Sequence, residues 1–206
     1  MGQTKTAQEE FWAGDFGNEY IERCGDLDTI PSRLNIFSKL LQRAENVQSV
    51  LELGPNVGLN LITLKQLLPN AAFNAVEINE KAYGILKQKE WLNVQNKSLL
   101  DSEISIKADL TFTAGVLIHI NPDMLDKAYD TLYRNSNRYV AVLEYYNPTP
   151  VTVPYRGHDD KLFKRDFAGE LMEKYPDLHL VDYGFVYNKD HNFPLDDTNW
   201  FLMEKR

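Results

Sequence analysis

Apolar residues recur along this chain with two alternating periods. Short β-branched and aliphatic runs, Val50-Leu51-Glu52-Leu53, Ala71-Ala72-Phe73-Asn74-Ala75-Val76, Trp91 to Asn96, Asp109 to Ala114 and Arg138 to Pro148, predict strands. Between them lie segments of helical period: Leu34, Phe37, Leu40 and Leu41 after Pro31-Ser32-Arg33; Leu61, Leu64, Leu67 and Leu68; Asn79 to Leu86; Asp123 to Asn135; and Phe163 to Lys174. Strand and helix in alternation predict an α/β sheet that is mostly parallel. Residues 178–187 and 198–204 read as two closing strands. Pro148, Pro150 and Pro154 rule out a central strand, so residues 148–161 are expected to form a long surface connection. Residues 1–46 precede the first strand and are rich in aromatics, Phe11, Trp12, Phe16 and Tyr20 among them. They read as a satellite helix on the sheet or as a lid, leaving 47–206 as the main domain of one globular unit.

Between the first strand and its helix stands Glu52-Leu53-Gly54-Pro55-Asn56-Val57-Gly58. Such a junction lies at the carboxyl end of a strand, where a ligand meets bare backbone and a helix N-terminus. Gly54 and Gly58 allow the turn and the close approach. Glu77 follows Gly58 by nineteen residues, at the end of the second strand. A carboxylate there is placed to take both hydroxyls of a ribose, which points to a nucleoside cofactor. Asn56 fills the middle glycine position of a dinucleotide loop, which weakens a pyrophosphate reading. Glu52 is unfavourable beside phosphate but suits a cofactor carrying an ammonium and a sulfonium, as S-adenosylmethionine does. A nicotinamide oxidoreductase and a cofactor-binding module without turnover remain as alternatives.

In Glu52, Gly54 and Gly58 the chain resembles the class I S-adenosylmethionine-dependent methyltransferases, with Asn56 in place of the middle glycine. That resemblance implies a Rossmann-like three-layer α/β sandwich, with a mostly parallel seven-stranded sheet ending in an antiparallel C-terminal hairpin. It implies cofactor contacts from Glu52, Gly54, Asn56, Gly58, Glu77 and Ile78. Ser98, Leu99 or Asp101 would flank the adenine, and Gly115 and Val116 the methionine part. His119 follows that fourth-strand loop, where the family often has a polar side chain acting on the acceptor. A neutral imidazole there could take the acceptor's proton. Glu144, Tyr146 and Asn147 end the fifth strand on the same face, Glu144 as a second catalytic candidate and Tyr146 as an acceptor contact. As a lid, the N-terminal segment would bring Trp12, Tyr20 and Arg23 to the acceptor, and Arg156, His158 and Asp159 on the proline-rich connection could bind a polar or anionic one. More narrowly, Phe11-Trp12 through Arg23 and the form Glu52-Leu53-Gly54-Pro55-Asn56 resemble a bacterial group associated with pseudaminic acid and related surface-sugar biosynthesis. This implies a nonulosonic acid, a nucleotide sugar or a related carbohydrate as acceptor.

Composition narrows the field further. With 206 residues, 43% hydrophobic and 25% charged, the chain is expected to be a soluble protein with one full core. A net charge of −8 with scattered Lys and Arg disfavours nucleic acid. No apolar run reaches membrane-spanning length, and the polar start and single Cys24 suit a reducing cytoplasm. Cys24 has no nearby His to make it a nucleophile, Met1 to Thr6 fits an acylation signal only formally, and His158-Asp159-Asp160 is not by itself a metal-ligand set.

Overall fold

A computed structural model describes residues 6–24 and 26–206, without the side chain of Cys24. The nucleophile reading of Cys24 and most of the acylation signal therefore lie outside the described residues. The chain opens with helices α1 (Ala7–Ala13), α2 (Asp15–Cys24) and α3 (Ile30–Leu41). There follow β1 (Ser49–Leu53), α4 (Leu59–Leu67), β2 (Ala72–Glu77), α5 (Glu80–Leu86), β3 (Leu92–Asn96) and β4 (Ala108–Ala114). Then come α6 (Leu125–Asn135), β5 (Ser136–Glu144), β6 (Val151–Thr152), β7 (Phe163–Lys164), α7 (Phe167–Lys174), β8 (Leu178–Val186) and β9 (Thr198–Lys205).

Seven strands form one sheet in the order β3-β2-β1-β4-β5-β9-β8. Neighbours from β3 to β5 run parallel, whereas β9 runs antiparallel to both β5 and β8. The expected α/β architecture with its closing antiparallel pair is therefore present. The central strands β1, β4 and β5 are buried on both faces, which is why they read as continuous apolar runs. One face carries α3 and α4 through Phe37, Leu40, Leu61 and Leu64; the other carries α6 and α7 through Leu125, Leu132, Phe167 and Leu171. Strand order reverses between β1 and β4, and their carboxyl ends open a crevice in which a ligand can sit.

Local chemistry explains the helix starts. Thr6 and Glu9 make a reciprocal capping box at α1, Asn79 caps α5 by accepting from the Ala82 N–H at 2.9 Å, and Asp166 caps α7 by accepting from Gly169. That last cap corrects the helix expected from Phe163. Phe163 and Lys164 instead pair as β7 with β6, so the proline-rich connection carries a two-stranded ribbon and the helix starts at Phe167. Likewise, Pro122–Met124 form a single 3₁₀ turn before α6 begins at Leu125, and Ser136 already belongs to β5.

Phe37 is 1% exposed and meets the Phe112 ring edge-on, with centroids 5.5 Å apart, fastening α3 to the middle of the sheet. Phe37→Ala is expected to lower the unfolding free energy by about 3–5 kcal/mol, measured by urea denaturation; a loss under about 1 kcal/mol would show that this contact does not anchor α3.

Candidate active site

A cavity of about 720 Å3 lies at the carboxyl ends of β1, β2, β4 and β5, roofed by α1 and α2. Its floor is the loop after β1. Gly54, Asn56 and Gly58 all have positive φ, 78°, 52° and 85°, so three left-handed residues in five fold the loop back on itself. A Cβ on Gly54 would stand 2.7 Å from a methyl of Val116, which keeps the loops after β1 and β4 in close contact. Gly115, also at positive φ, has open space where its Cβ would be.

Two buried carboxylates face this cavity from adjacent strands. Glu77, at the end of β2, accepts the Asn56 N–H on one oxygen and the Asn79 N–H on the other, each at 2.8 Å. A carboxylate has about four acceptor sites, so these two bonds fix Glu77 without exhausting it. Burial pushes its pKa up, against the pull of the backbone amides. Glu52, on β1, accepts from Asn60 Nδ2 at 2.7 Å, and Asn60 Oδ1 in turn accepts from Arg33. The second Glu52 oxygen is buried with no hydrogen-bond partner. Burial raises the Glu52 pKa to about 7, offset in part by Asn60 and Arg33. A cationic ligand group would relieve that strain.

Glu144 is also buried and lines the cavity, but it is bound to protein. Its oxygens accept the successive N–H groups of Val116, Leu117 and Ile118 at 3.1, 3.1 and 3.4 Å. Desolvation raises its pKa to about 7 while these amides pull it down. This carboxylate shapes the loop after β4, and the geometry gives it a positioning part where the sequence had pointed to proton transfer. That loop ends in a 3₁₀ turn, Leu117–His119, which delivers the His119 ring to the cavity. His119 Nδ1 lies 2.6 Å from the Lys161 carbonyl, which can only accept, so Nδ1 carries the proton and Nε2 keeps its lone pair. Burial lowers the His119 pKa to about 4. Its ring packs against Trp12 at 4.5 Å and Tyr155 at 5.1 Å between centroids.

The roof is an aromatic cluster. Trp12 meets Phe16 and Tyr20 edge-on, and Arg23 lies over Phe16 and Tyr20 while pairing with Glu19 at 3.7 Å. Asn79 Nδ2 donates to the Trp12 carbonyl at 3.2 Å and to Asn18 Oδ1 at 3.0 Å, tying α1 and α2 to the start of α5.

Of the residues singled out in the sequence, the cavity is lined by Glu52, Gly54, Asn56, Glu77, Ile78, Ser98, Leu99, Gly115, Val116, His119, Glu144, Trp12, Tyr20, Arg23 and Arg156. Gly58 shapes the loop from behind, packed on Leu86. Asp101 caps its own turn by accepting from the Glu103 N–H. Tyr146 is exposed beside Phe201 in a separate shallow depression, because the strand ends at Glu144 and the next residues turn away. Asn147 joins the ribbon side through Thr149. His158 sits outside the lining, with its ring against Phe11 and Phe16, and Asp159 is exposed. Among the described residues, no three His, Cys, Asp or Glu side chains gather as a metal site. Sequence reasoning missed Gln8, Arg33, Asn60, Asn79, Tyr145, Tyr155 and Asp196, all of which line the cavity. Asn60 and Asn79 lie one helical turn or less past the glycine loop and Glu77, where cap and relay residues are to be sought; nothing in the sequence marked Gln8.

No family model matches the chain, and no curated protein matches it significantly. Among solved structures, it superposes on 1,6-didemethyltoxoflavin-N1-methyltransferase from Burkholderia thailandensis, solved with 1,6-didemethyltoxoflavin and S-adenosylhomocysteine. The TM-score is 0.70 and identity 14%, covering 100% of this chain and 93% of the other. It also superposes on magnesium protoporphyrin IX methyltransferase from Synechocystis, solved with S-adenosylmethionine, at TM-score 0.66 and 14% identity over 100% of both chains. A methyltransferase from Clostridium acetobutylicum gives 0.64 and 12% identity over 92% and 97%. The fold is thus that of the class I S-adenosylmethionine-dependent methyltransferases.

The His119 pKa sets a pH dependence. A histidine held near 4 in the fold and near 6.5 when unfolded favours the folded state fully above about pH 6.5, and this contribution is lost as pH falls toward 4. In urea denaturation, the unfolding free energy of the wild type relative to His119→Asn is expected to fall by up to about 3 kcal/mol between pH 7 and pH 4. A difference independent of pH would mean that His119 titrates normally.

Proposed function

We propose that the protein is an S-adenosylmethionine-dependent methyltransferase acting on a small polar acceptor. One observation carries the reading: two buried carboxylates end adjacent strands at the same cavity, Glu77 held open by backbone amides and Glu52 with an unpartnered oxygen. They fit the two ends of this cofactor. Glu77 offers acceptors to the ribose hydroxyls, and Glu52 offers an anion to the α-ammonium. Ile78, Ser98, Leu99, Gly115 and Val116 line the same cavity; the family resemblance gives the first three to the adenine and the last two to the methionine part. A dinucleotide fits less well, because its pyrophosphate would lie over Glu52 with an Asn side chain in the loop.

When bound, the cofactor supplies an electrophilic methyl group on a sulfonium; it would give up that methyl carbon to the acceptor and keep the electron pair of the carbon–sulfur bond. The chain's own residues align the acceptor and shield it from water under the roof of α1 and α2, which we read as a lid. His119 Nε2 accepts a hydrogen bond from the acceptor's N–H or O–H and takes its proton, which it holds weakly, at a pKa of about 4, and releases from the same nitrogen when the roof opens. Tyr145 also faces the cavity, but burial and Asp196 push its pKa up, which disfavours a phenolate base. Resemblance to the pseudaminic acid group extends the proposal to a surface-sugar or nucleotide-sugar acceptor. The rings of Trp12 and Tyr20 support it as surfaces for sugar C–H faces. Arg23 and Arg156 also line the cavity.

Isothermal titration of S-adenosylmethionine and S-adenosylhomocysteine is expected to show micromolar binding, reduced at least about 100-fold in Glu77→Ala, as for a paired set of hydrogen bonds to a charged group. NAD is the control. Binding of NAD alone would overturn the proposal, and cofactor binding without methyl transfer to any acceptor would favour a non-catalytic module.

A further inference from the structure

Residues 160 and 161 present successive backbone carbonyls, and each is taken by a side chain from a different part of the chain. Gln8 Nε2, on α1, donates to the Asp160 carbonyl at 3.1 Å, while His119 Nδ1 donates to that of Lys161 at 2.6 Å. Because carbonyls only accept, both side chains are oriented by chemistry. Gln8 is left presenting its amide oxygen and His119 its Nε2 lone pair. Gln8 is 6% exposed, and its Oε1 is buried without a hydrogen-bond partner. The indole N–H of Trp12, one turn further along α1, is likewise buried and unpartnered. All three residues line the cavity.

Unpaired buried polar atoms are uncommon and costly, and two of them from one helix beside an oriented imidazole call for a ligand that satisfies them. Together they present two acceptors and one donor, with no net charge. Nearby Lys161 is already paired with Asp160 at 2.8 Å, and Arg23 with Glu19. A carboxylate or phosphate offers only acceptors and would bring its oxygens against two lone pairs.

We propose that Gln8, Trp12 and His119 form the receptor that selects the acceptor, and that it takes an uncharged group with two N–H or O–H donors beside one hydrogen-bond acceptor. A sugar hydroxyl next to an amide has this edge, and so does a ring with N–H groups flanking a carbonyl. The proposal rests on the methyltransferase reading and defines which part of the acceptor faces the roof. Gln8 is thereby a specificity-determining residue, placed by the strap at 160–161.

The test uses the full chain saturated with S-adenosylhomocysteine, titrated calorimetrically with four probes. Uracil and methyl N-acetylglucosaminide carry the proposed edge on a planar ring and on a sugar; benzoate and glucuronate carry a carboxylate on a planar ring and on a sugar, without an amide. At least one neutral probe is expected to bind about 10-fold more tightly than both carboxylates, and which neutral probe wins distinguishes ring from sugar. Gln8→Leu should weaken that probe about 10-fold, and so should Trp12→Phe, which keeps an aromatic side chain and removes the indole N–H, while S-adenosylhomocysteine affinity stays within about twofold. Because Trp12→Phe keeps an aromatic ring in the roof, and its S-adenosylhomocysteine affinity reports whether the site is intact, it decides the matter should Gln8→Leu fail to fold. No neutral binding, tighter carboxylate binding, or Trp12→Phe without effect on the neutral probe would overturn the proposal and leave the cofactor reading intact. Failure of S-adenosylhomocysteine itself to bind would overturn both.

Discussion

The fan of three backbone amides on the Glu144 carboxylate is the interaction on which the site depends. A buried anion at the end of β5 gathers the N–H groups of Val116, Leu117 and Ile118, residues that would otherwise begin a loop with unsatisfied donors. With those amides held, the turn after β4 has one course. Val116 comes down on Gly54, and His119 emerges on the cavity side. The loops of β1 and β4 are thus set by a third strand that contributes no glycine and no obvious motif. Removing the carboxylate would strand three donors at once, whereas removing any single donor leaves two.

The cavity concentrates negative charge at low solvent exposure. Glu52, Glu77 and Glu144 are all nearly inaccessible and all have pKa values raised by burial, with the Glu77 charge adding to the rise at Glu52. Holding such groups together costs folding free energy, and the amides of Asn56, Asn79 and the loop after β4 offset only part of it. Such a cost is common where a site is built for a charged ligand in place of maximum stability. Arg33, acting through Asn60, is the protein's own partial counterweight to Glu52.

The fold was legible in the sequence because both faces of the central strands are buried, so they stand out as apolar runs and the helices as periodic ones. Gly54, Gly58 and Glu77 were legible because backbone geometry and ribose recognition restrict which residues can stand there. Tyr146 and His158 were misplaced for a common reason: distance along the chain from a strand end does not reveal where an irregular connection turns. Phe163 misled in another way, since its apolar periodicity runs on into α7 while a local pairing with Thr152 takes it into a ribbon. Gln8 was invisible because its meaning depends on a carbonyl 152 residues away.

Asn79 joins parts that could have been separate. Its backbone N–H holds Glu77, its side-chain oxygen begins α5, and its amide nitrogen holds both Trp12 and Asn18 of the roof. A displacement of the roof is therefore felt at the carboxylate assigned to the ribose, and the reverse. Were a ligand in each compartment to act through Asn79, reciprocity would make each alter the other's affinity by the same factor. The chain has no independent dial for the two compartments. A lineage that changed its acceptor by remodelling α1 would have to retain the Trp12 carbonyl and the Asn18 amide where Asn79 can reach them, so that diversification is channelled into the side chains α1 presents and away from its placement.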